Sequence, residues 1–443
     1  MFDPSTFTRS LRLLALRVPV SRVGGIAKQL NGHMTTLAKI KCIVPDVEEH
    51  QPPTRLVLLS ERYSAPDQLP DAVQALLTGP DALQLTEYPV TVGYDNMSAE
   101  EVLRQLLPSG MEIPHSFEGV GHIAHLNLRD EQLPFKDVIG RVLLDKNPAI
   151  RTVVNKSGII SSVYRQFAME VLAGEPDFNV EVREHGHIFR FDYSQVYWNS
   201  RLSSEHRRLV MSFDKGDIVC DACCGVGPFA IPAAKAGHVV LANDLNPSAV
   251  EYLRENARLN KVANKIECFN MDARAFVRQL VADGREFHHV IMNLPALAVT
   301  FLDAFRGLYA HRPFQRLPRI HVYLFSRADD FVSDAVAQVE KYLGTNELSV
   351  QGGAERHSLH VFDVRNVAPK KEMMCVSFVL PASVATAEVV ANGESDAGAS
   401  SSSSGARLFS ERDGSPTNED DDDLKRRKST PVADVVDDDD DDA

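Results

Sequence analysis

The stretch DIVCDACCGVGPFAIPAA, residues 217–234, suggests two different kinds of chemistry. Cys220 and Cys223 have the spacing of a metal-binding or redox pair, whereas Gly225 and Gly227 have the spacing of a loop that binds a nucleotide-like ligand. A structural zinc site needs four ligands, and no second Cys or His pair of suitable spacing accompanies the first. The sequence therefore predicts no metal, and it favours packing as the role of the cysteines.

The two glycines are expected at a point where a strand turns into a helix. A loop without side chains at that point lets a ligand contact the backbone. Asp244 ends the next expected strand, 17 residues after Gly227, where a carboxylate can accept hydrogen bonds from both hydroxyls of a ribose. NAD(P) enzymes, flavoproteins and S-adenosylmethionine enzymes all share this pattern, so it predicts a nucleotide-like cofactor without choosing among them.

The motif MNLPAL indicates which of these cofactors the chain binds. Asn293, followed by Leu and Pro, comes directly after the fourth strand of the pattern, where amine-directed methyltransferases of this architecture carry an Asn/Asp-Pro-Pro-aromatic turn. A side-chain amide and fixed backbone carbonyls at that point can hold the flat edge of a nucleobase beside a methyl group. In register with the glycine loop and Asp244, the motif predicts S-adenosylmethionine as the cofactor.

These candidate residues need a scaffold, and the chain from 217 onward predicts one. The runs DIVCDAC, HVVLAND, FHHVIMNLP and RIHVYLFSR predict buried parallel strands, and PSAVEYLRENARLN predicts a helix that starts at Pro247. Alternating strands and helices predict a doubly wound, mainly parallel α/β sheet that binds ligands at the carboxyl ends of its strands. LHVFDVR and MMCVSFVLP predict a closing antiparallel pair.

The sequence also predicts smaller units before this sheet and a tail after it. HIAHLNLRD, FKDVIGRVLLDK and IRTVVNK predict a small α+β module at 93–190, and we expect a further N-terminal domain at 1–92. The α/β domain then spans 191–383. From 384 to 443, Ser-rich and Asp-rich segments cannot bury enough apolar surface to fold, which predicts a disordered acidic tail.

The formal net charge of −14 is concentrated in that tail. From Glu388 onward there are 17 acidic and 6 basic residues, which leaves 44 acidic and 41 basic residues for the rest of the chain. The folded part is therefore close to neutral, and the overall acidity does not exclude a nucleic-acid partner. No run of apolar residues is long enough to predict a membrane span, and six scattered cysteines indicate a reducing compartment.

Two basic segments bear on where the protein is located. The first 41 residues contain seven Lys or Arg and only Asp3 as an acid. Such a start resembles a mitochondrial presequence, or it forms the basic surface of a folded domain. Residues 425–428, KRRK, have the composition of a nuclear-import signal. We expect a monomer in the cytoplasm and nucleus, with a mitochondrial matrix pool.

Seven segments, spread over most of the chain, carry a resemblance to one known family. They are GHIAHLNLR, VVNKSGII, YRQFAMEVLAGE, DYSQVYWNSRLSSEH, GVGPFAIPAAK, ANDLNP and MNLPALA. Together they resemble the eukaryotic and archaeal tRNA (guanine(37)-N(1))-methyltransferases, from FDPSTFTRSLRLLALRVPV near the N-terminus to SFVLP at about 380. The chain departs from the family in DACCGVG, where the family usually has Phe-Ala before the glycine loop.

The resemblance implies a class I, Rossmann-like methyltransferase domain that acts on tRNA. It implies transfer of a methyl group from S-adenosylmethionine to N1 of guanine 37, the base 3′ of the anticodon, which supports maintenance of the reading frame. It also implies that the N-terminal domain recognises the tRNA elbow and that its Lys and Arg residues meet phosphates. Beside Gly225 and Gly227, the implied cofactor contacts are His206, Asp244, Leu245, Asp272, Ala273 and Asn293.

Guanine N1 carries a proton at neutral pH, so the reaction needs a base and a group that stabilises charge on O6. The resemblance points to Glu205 as the base, to Arg165 as the cation at O6, and to Asn293 as a holder of the nucleobase edge. From the sequence alone, Ser203 predicts an N-cap that places Glu205 in a first helical turn, where the helix dipole favours an acid of any role. That dipole lowers basicity, whereas burial under a flipped guanine would raise it.

Three other functions remain open at this point. A related transferase could move the aminocarboxypropyl group of the same cofactor onto a modified guanine, although the pairing of Glu205 with Asn293 argues against it. An NAD(P) oxidoreductase would also use the glycine loop. A non-catalytic RNA-binding protein could retain the fold, although every expected site residue is present.

Overall fold

The computed structural model describes residues 2–48, 50–114, 116–157, 168–312 and 314–388. Four sheets succeed one another along this part of the chain. The last and largest sheet carries most of the expected site residues, and the three smaller ones precede it.

The first sheet has the strand order β2-β3-β1-β4 and is antiparallel. Its strands are β1 (Arg9–Pro19), β2 (Ile43–Pro45), β3 (Thr54–Leu58) and β4 (Gln84–Val92), with helices α1 (Val23–Gln29) and α2 (Asp71–Gln74). Strand β1 is flanked on both sides and is largely buried from Leu13 to Val18. The basic start of the chain therefore belongs to a folded sheet.

The second sheet has the order β5-β6-β7-β8. It comprises β5 (Glu118–Val120), β6 (Ile123–Leu126), β7 (Thr152–Ser157) and β8 (Ala168–Gly174), with α3 (Ala99–Leu106) before it and α4 (Lys136–Lys146) between β6 and β7. The expected strands and helix of this module are confirmed. A two-stranded hairpin follows, β9 (Asn179–Glu184) and β10 (His187–Asp192), and the domain boundary expected at 190 falls inside β10.

The main sheet has seven strands in the order β13-β12-β11-β14-β15-β17-β16. The strands are β11 (Ile218–Asp221), β12 (Val239–Asn243), β13 (Ile266–Phe269), β14 (His289–Met292), β15 (Arg319–Ser326), β16 (His360–Ala368) and β17 (Lys371–Val379). The first five run parallel, while β17 runs antiparallel to β15 and β16. The predicted doubly wound sheet and its closing antiparallel pair are confirmed.

Helices cover both faces of this sheet. One core contains residues of α5 (Ser203–Val210), α6 (Ala230–Ala236) and α7 (Pro247–Leu259), and the other contains residues of α8 (Ala273–Ala282) and α9 (Phe331–Leu343). Helix α7 begins at Pro247 as predicted, with Asn246 as its N-cap. The strand order reverses at β11, which pairs with β12 on one side and β14 on the other, so ligands are expected at the carboxyl end of β11.

The described chain closes with two short helices, α10 (Gly353–Arg356) and α11 (Ala382–Ala385). The tail boundary expected at 384 falls inside α11, where Val384 and Ala385 are buried and accept backbone hydrogen bonds from Gly307 and Tyr309. The predicted tail beyond Glu388, including the basic cluster 425–428, lies outside the described residues. Within the described ranges, no helix is both long enough and apolar enough to cross a membrane.

Candidate active site

The glycine loop follows β11 at the switch point of the main sheet and leads into α6. Gly225 has φ +52 and its backbone N–H donates to Oδ2 of Asp244 at 2.8 Å. Oδ1 of Asp244 accepts the backbone N–H of Asn246 at 2.9 Å. Each oxygen of an ionised carboxylate has a further lone pair, so Asp244 can still accept hydrogen bonds from a ligand. Burial raises the pKa of Asp244 above its ordinary value, although both backbone bonds oppose this shift.

The two glycines are required for different reasons. A Cβ built on Gly225 has no heavy atom within 4 Å, so this residue borders open space that a ligand can enter. A Cβ on Gly227, at φ +102, would lie 2.7 Å from Leu253 and 2.8 Å from Ile231. Gly227 therefore permits close packing of α6 and α7, and a side chain there would disturb the fold together with the site.

Asn243, at the end of β12, connects the loops that follow three neighbouring strands. Its amide nitrogen donates to the carbonyls of Ala222 and Met271, at 3.1 and 2.9 Å, and its oxygen accepts the N–H of Met271 at 3.0 Å. The side chain of Asn270 donates to the carbonyls of Asp244 and Leu245. These bonds fix Asp244 and the start of α8 at one edge of the sheet.

The remaining expected cofactor contacts lie on the same edge. Asp272 is the N-cap of α8, where its Oδ1 accepts the backbone N–H groups of Arg274 and Ala275. Ala273 is buried directly after it, and Leu245 is exposed directly after Asp244. Capping accounts for Asp272 without a ligand, so its contact with a cofactor stays a prediction.

Three side-chain oxygen atoms at this edge are buried without a hydrogen-bond partner among the described residues. They are both carboxyl oxygens of Asp221, the last residue of β11, and Oδ1 of Asn293, which follows β14. Strands β11 and β14 are neighbours, so both groups lie at the carboxyl ends of adjacent strands. Burial, and next the charge of Asp244, raise the pKa of Asp221 well above its ordinary value despite the nearby N–H of Cys223. Unsatisfied buried acceptors are costly, so the pair predicts a ligand with hydrogen-bond donors.

The cysteines of the opening motif do not form a reactive pair. Cys220 packs in the core on one face of the sheet, and Cys224 packs in the core on the other. Burial raises the pKa of Cys220, Cys223 and Cys224 well above the ordinary value, so the thiolate needed for metal binding or redox chemistry is disfavoured. In the described part of the chain, no group of three or more His, Cys, Asp or Glu residues could hold a metal ion.

Glu205 lies in the first turn of α5, as predicted, and is buried. Its Oε1 accepts the hydroxyl of Tyr323 at 2.7 Å and Nη2 of Arg208 at 2.7 Å, and its Oε2 accepts Nε of Arg208 at 2.6 Å. The guanidinium of Arg208 also lies 4.0 Å from the ring centre of Phe362. Hydrogen bonding and charge from Glu205 raise the pKa of Arg208. The site therefore holds a buried carboxylate whose geometry is fixed on two sides.

His206, the next residue, is also buried. Its Nδ1 is hydrogen-bonded to Oε1 of Glu184 at 2.8 Å. Its ring centre lies 4.7 Å from that of Phe229, and the two rings are arranged edge to face. The expected N-cap role of Ser203 is wrong: Leu202 occupies the cap position without a side-chain bond, and Ser203 is the first helical residue. Its hydroxyl instead bonds to Nε2 of His185 at 2.9 Å.

Arg165, the expected cation at guanine O6, lies outside the described residues. Four functional candidates were missed by the sequence interpretation: Asp221, Glu184, Arg208 and Tyr323. Asp221 had a usable signal, because an acid at the end of the first strand directly precedes the glycine loop. Arg208 lies three residues after Glu205, a spacing at which helical side chains meet. Glu184 and Tyr323 had no local signal, since each meets its partner only through the tertiary fold.

Comparisons with known proteins identify relatives of this chain. The TRM5/TYW2 methyltransferase domain model matches residues 180–351, and the TYW2 N-terminal domain model matches residues 99–177. A tRNA (guanine(37)-N(1))-methyltransferase of Phytophthora infestans is 45% identical over 87% of this chain and 93% of its own. The protein of that name from Danio rerio is 44% identical over 86% of this chain and 82% of its own.

Solved structures share the fold. A complex of aTrm5 with tRNALeu superposes with a TM-score of 0.61 at 23% identity, over 83% of this chain and 100% of the other. Trm5b from Pyrococcus abyssi superposes with a TM-score of 0.57 at 23% identity, over 83% of this chain and 99% of the other. At this identity the likeness establishes the architecture of the chain.

Proposed function

This chain belongs to the tRNA (guanine(37)-N(1))-methyltransferase family, and we propose that it transfers a methyl group from S-adenosylmethionine to N1 of guanine 37 in tRNA. The observation that carries the proposal is the buried carboxylate of Glu205, held by Arg208 and Tyr323 in the same domain as a sheet edge with unsatisfied acceptors. The reaction requires a base for the N1 proton and a binding site for the cofactor, and these are the two features named here.

The residues at the switch point fit S-adenosylmethionine. Its ribose hydroxyls need a carboxylate acceptor, which Asp244 supplies, and its α-amino group needs buried acceptors, which Asp221 and Asn293 supply. The open space beside Gly225 admits a ligand against the backbone. When bound, the cofactor supplies an electrophilic methyl group. Contacts with His206, Leu245, Asp272 and Ala273 complete the proposal.

Glu205 is proposed to accept the N1 proton. Arg208 and Tyr323 donate the hydrogen bonds that fix the orientation of its carboxylate. Oε2 accepts a hydrogen bond only from Arg208 among the described residues, so it retains a lone pair for the incoming proton. Arg165 is proposed to stabilise charge on O6, because a guanidinium is a fixed cation with planar donors.

The N-terminal sheet and the α+β module are proposed to bind the rest of the tRNA. Arg9 and Arg12 on β1 are exposed, as expected of residues that meet phosphates. The location in cytoplasm and nucleus, with a mitochondrial matrix pool, and a monomeric state are further proposals. A mitochondrial form would have to retain the first 41 residues, since β1 and α1 are built from them.

The alternatives receive less support. The relatives compared above carry the name of an N1-methyltransferase, which does not favour aminocarboxypropyl transfer. Hydride transfer by an oxidoreductase would not need the ion pair of the buried Glu205 with Arg208. A decayed, non-catalytic protein would not be expected to keep Glu205, Arg208 and Tyr323 in contact.

Primer extension tests the proposal, because methylation at N1 blocks base pairing and stops reverse transcription. We expect a stop at position 37 that requires both the protein and S-adenosylmethionine. A matched tRNA with adenosine at position 37 should give no stop. Full-length extension of the guanosine-37 tRNA after incubation with protein and cofactor would refute the proposed function.

A further inference from the structure

Methylation at N1 replaces an N–H bond by an N–C bond, so each turnover leaves a proton that the product cannot keep. If the proposed function holds, this proton is on Glu205, which is buried and is covered by the bound tRNA base until the product leaves. The proton must then reach water before Glu205 can act again. The structure contains a route that does not pass through the substrate pocket.

A chain of buried hydrogen-bonding side chains leads away from Glu205 across one face of the main sheet. It begins with the Tyr323 hydroxyl, 2.7 Å from Glu205, and continues to the Cys375 thiol, whose residue is the cross-strand partner of Tyr323 in the register of β15 and β17. Ser377 Oγ lies 3.8 Å from the Cys375 sulfur. We call the following series the relay chain: Tyr323, Cys375, Ser377, His321, His289 and Asp217.

The second half of the relay chain is more tightly bonded. His321 Nδ1 lies 2.7 Å from Ser377 Oγ, and His321 Nε2 lies 3.0 Å from Nδ1 of His289. His289 Nε2 lies 2.8 Å from Oδ2 of Asp217. Asp217 directly precedes β11, so the relay chain ends at the rim of the sheet opposite the glycine loop. There Nη1 of the half-exposed Arg316 reaches Oδ1 of Asp217 at 3.4 Å.

The protonation states follow from the surroundings. Burial lowers the pKa of His289, and burial lowers that of His321 further, with the charges of Arg319 and Arg208 acting in the same direction. Burial alone would raise the pKa of Asp217, but the hydrogen bond from His289 and the charge of Arg316 lower it. Two neutral imidazoles therefore end on an ionised carboxylate.

These states fix the direction of the hydrogen bonds. An ionised Asp217 can only accept, so His289 carries its proton on Nε2 and accepts at Nδ1. His321 must then donate from Nε2 and accept at Nδ1, and the acceptor at Nδ1 requires the Ser377 hydroxyl as donor. Every one of these donors points towards Asp217. The ring centre of Phe213 lies 4.3 Å from that of His289 and 5.8 Å from that of His321. The Phe213 ring therefore limits access of water to the two imidazoles.

We propose that the relay chain carries the N1 proton from Glu205 to Asp217 and the opposite rim of the sheet while tRNA is still bound. The protonated carboxyl group of Glu205 turns so that the proton taken up on Oε2 reaches the Tyr323 oxygen, and the Tyr323 hydroxyl turns its own proton from Glu205 towards Cys375. Each following group passes one proton to the next, and His289 finally protonates Asp217, which releases the proton to water. No oxidant or second substrate is needed. The transfer leaves both imidazoles protonated on Nδ1, so the starting state returns when they exchange back to Nε2 and the hydroxyls rotate.

The timing of proton release tests the relay chain. In a single turnover in weak buffer, a pH indicator follows the proton, quenched samples follow the methyl group, and labelled tRNA follows product dissociation. We expect the wild-type proton to appear with methyl transfer, before dissociation. Absence of methyl transfer by the wild type would refute the proposed function; methyl transfer with proton release only at tRNA dissociation would refute the relay alone.

Variants separate the effect of the relay chain on proton release from any effect on the fold. Ser377→Ala removes the hydroxyl between Cys375 and His321, and we expect loss of the early proton with the first methyl transfer unchanged. Ser377→Thr keeps a hydroxyl and should retain the early proton. His238→Gln is the matched control, because His238 is equally buried and bonds to the Asp217 carbonyl outside the relay chain. An early proton in Ser377→Ala would overturn the proposal.

A second measurement needs neither turnover nor a variant. Nitrogen-15 NMR of the ligand-free protein reports the tautomer of each histidine, and we expect His289 and His321 to be neutral and protonated on Nε2. A proton on Nδ1 of His321 would make it a donor to Ser377. That result would reverse one link and contradict the relay.

Discussion

Replacing Glu205 by Gln removes the proposed base and leaves the size of the side chain unchanged. Loss of a general base costs about 10²- to 10⁴-fold in rate, and a group that acts only in proton transfer should leave the affinities for tRNA and cofactor nearly unchanged. Arg208 and Tyr323 donate the three hydrogen bonds that Glu205 accepts. The amide nitrogen of Gln is itself a donor, so it must face one of these groups and that hydrogen bond is lost.

The same change should lower stability by a predictable amount. Arg208 would lose its anion, but its side chain is 34% exposed and stays partly hydrated. The cost should therefore be about 1–3 kcal/mol, the range for an unsatisfied hydrogen-bonding group. It should fall below the roughly 3–5 kcal/mol found when a fully buried ion pair is broken. Urea unfolding measures this loss separately from activity.

Single-turnover methyl transfer across a pH series, at saturating tRNA and cofactor, is the decisive assay. Raising the pH supplies guanine already deprotonated at N1, so the Gln variant should recover relative to wild type. Glu101→Gln is the matched control, because Glu101 occupies the first turn of α3 in a capping box and has no place in the site. A wild-type rate for Glu205→Gln near neutral pH would show that Glu205 is an ordinary acid of a helix start.

Four further outcomes are expected. Gly225→Val should abolish S-adenosylmethionine binding in calorimetry, since its side chain would enter the open space, and should also lower stability because φ +52 disfavours a β-branched residue; retained affinity would contradict the loop assignment. Truncation after Glu388 should leave turnover unchanged, whereas truncation after Pro381 should lower the melting temperature by removing buried α11; a large loss of turnover in the longer form would give the tail a catalytic role. Arg165→Lys should slow single-turnover transfer and recover less than Glu205→Gln at high pH. Binding of tRNA should weaken steeply with salt and require residues 1–92, and salt-independent binding by the catalytic domain alone would refute this.

Local patterns were sufficient to predict the scaffold of the site. Buried strands, the glycine loop and the helix start at Pro247 each depend on residues close together in sequence, so their positions were predicted correctly. The glycine loop and Asp244 alone did not identify the cofactor, because several nucleotide-binding enzymes need the same geometry. The choice of substrate depended on the family resemblance, which the relatives at 44–45% identity support.

The parts that sequence could not predict depend on contacts between distant segments. Tyr323 bonds to Glu205 from 118 residues away, and nothing in RIHVYLFSR marks its hydroxyl as functional. His289 on β14 and His321 on β15 are 32 residues apart, and only the pairing of these two strands brings their rings into contact. Ser203 followed an N-cap pattern, but its hydroxyl bonds to His185 on a neighbouring turn instead.

The central claim is that this protein places a methyl group from S-adenosylmethionine on N1 of guanine 37. Mass spectrometry of nucleosides, after incubation of tRNA with the protein and cofactor carrying a labelled methyl group, tests it most directly. We predict labelled 1-methylguanosine from the fragment that contains position 37. An aminocarboxypropyl adduct, a label on another nucleoside, or an unlabelled fragment would contradict the account.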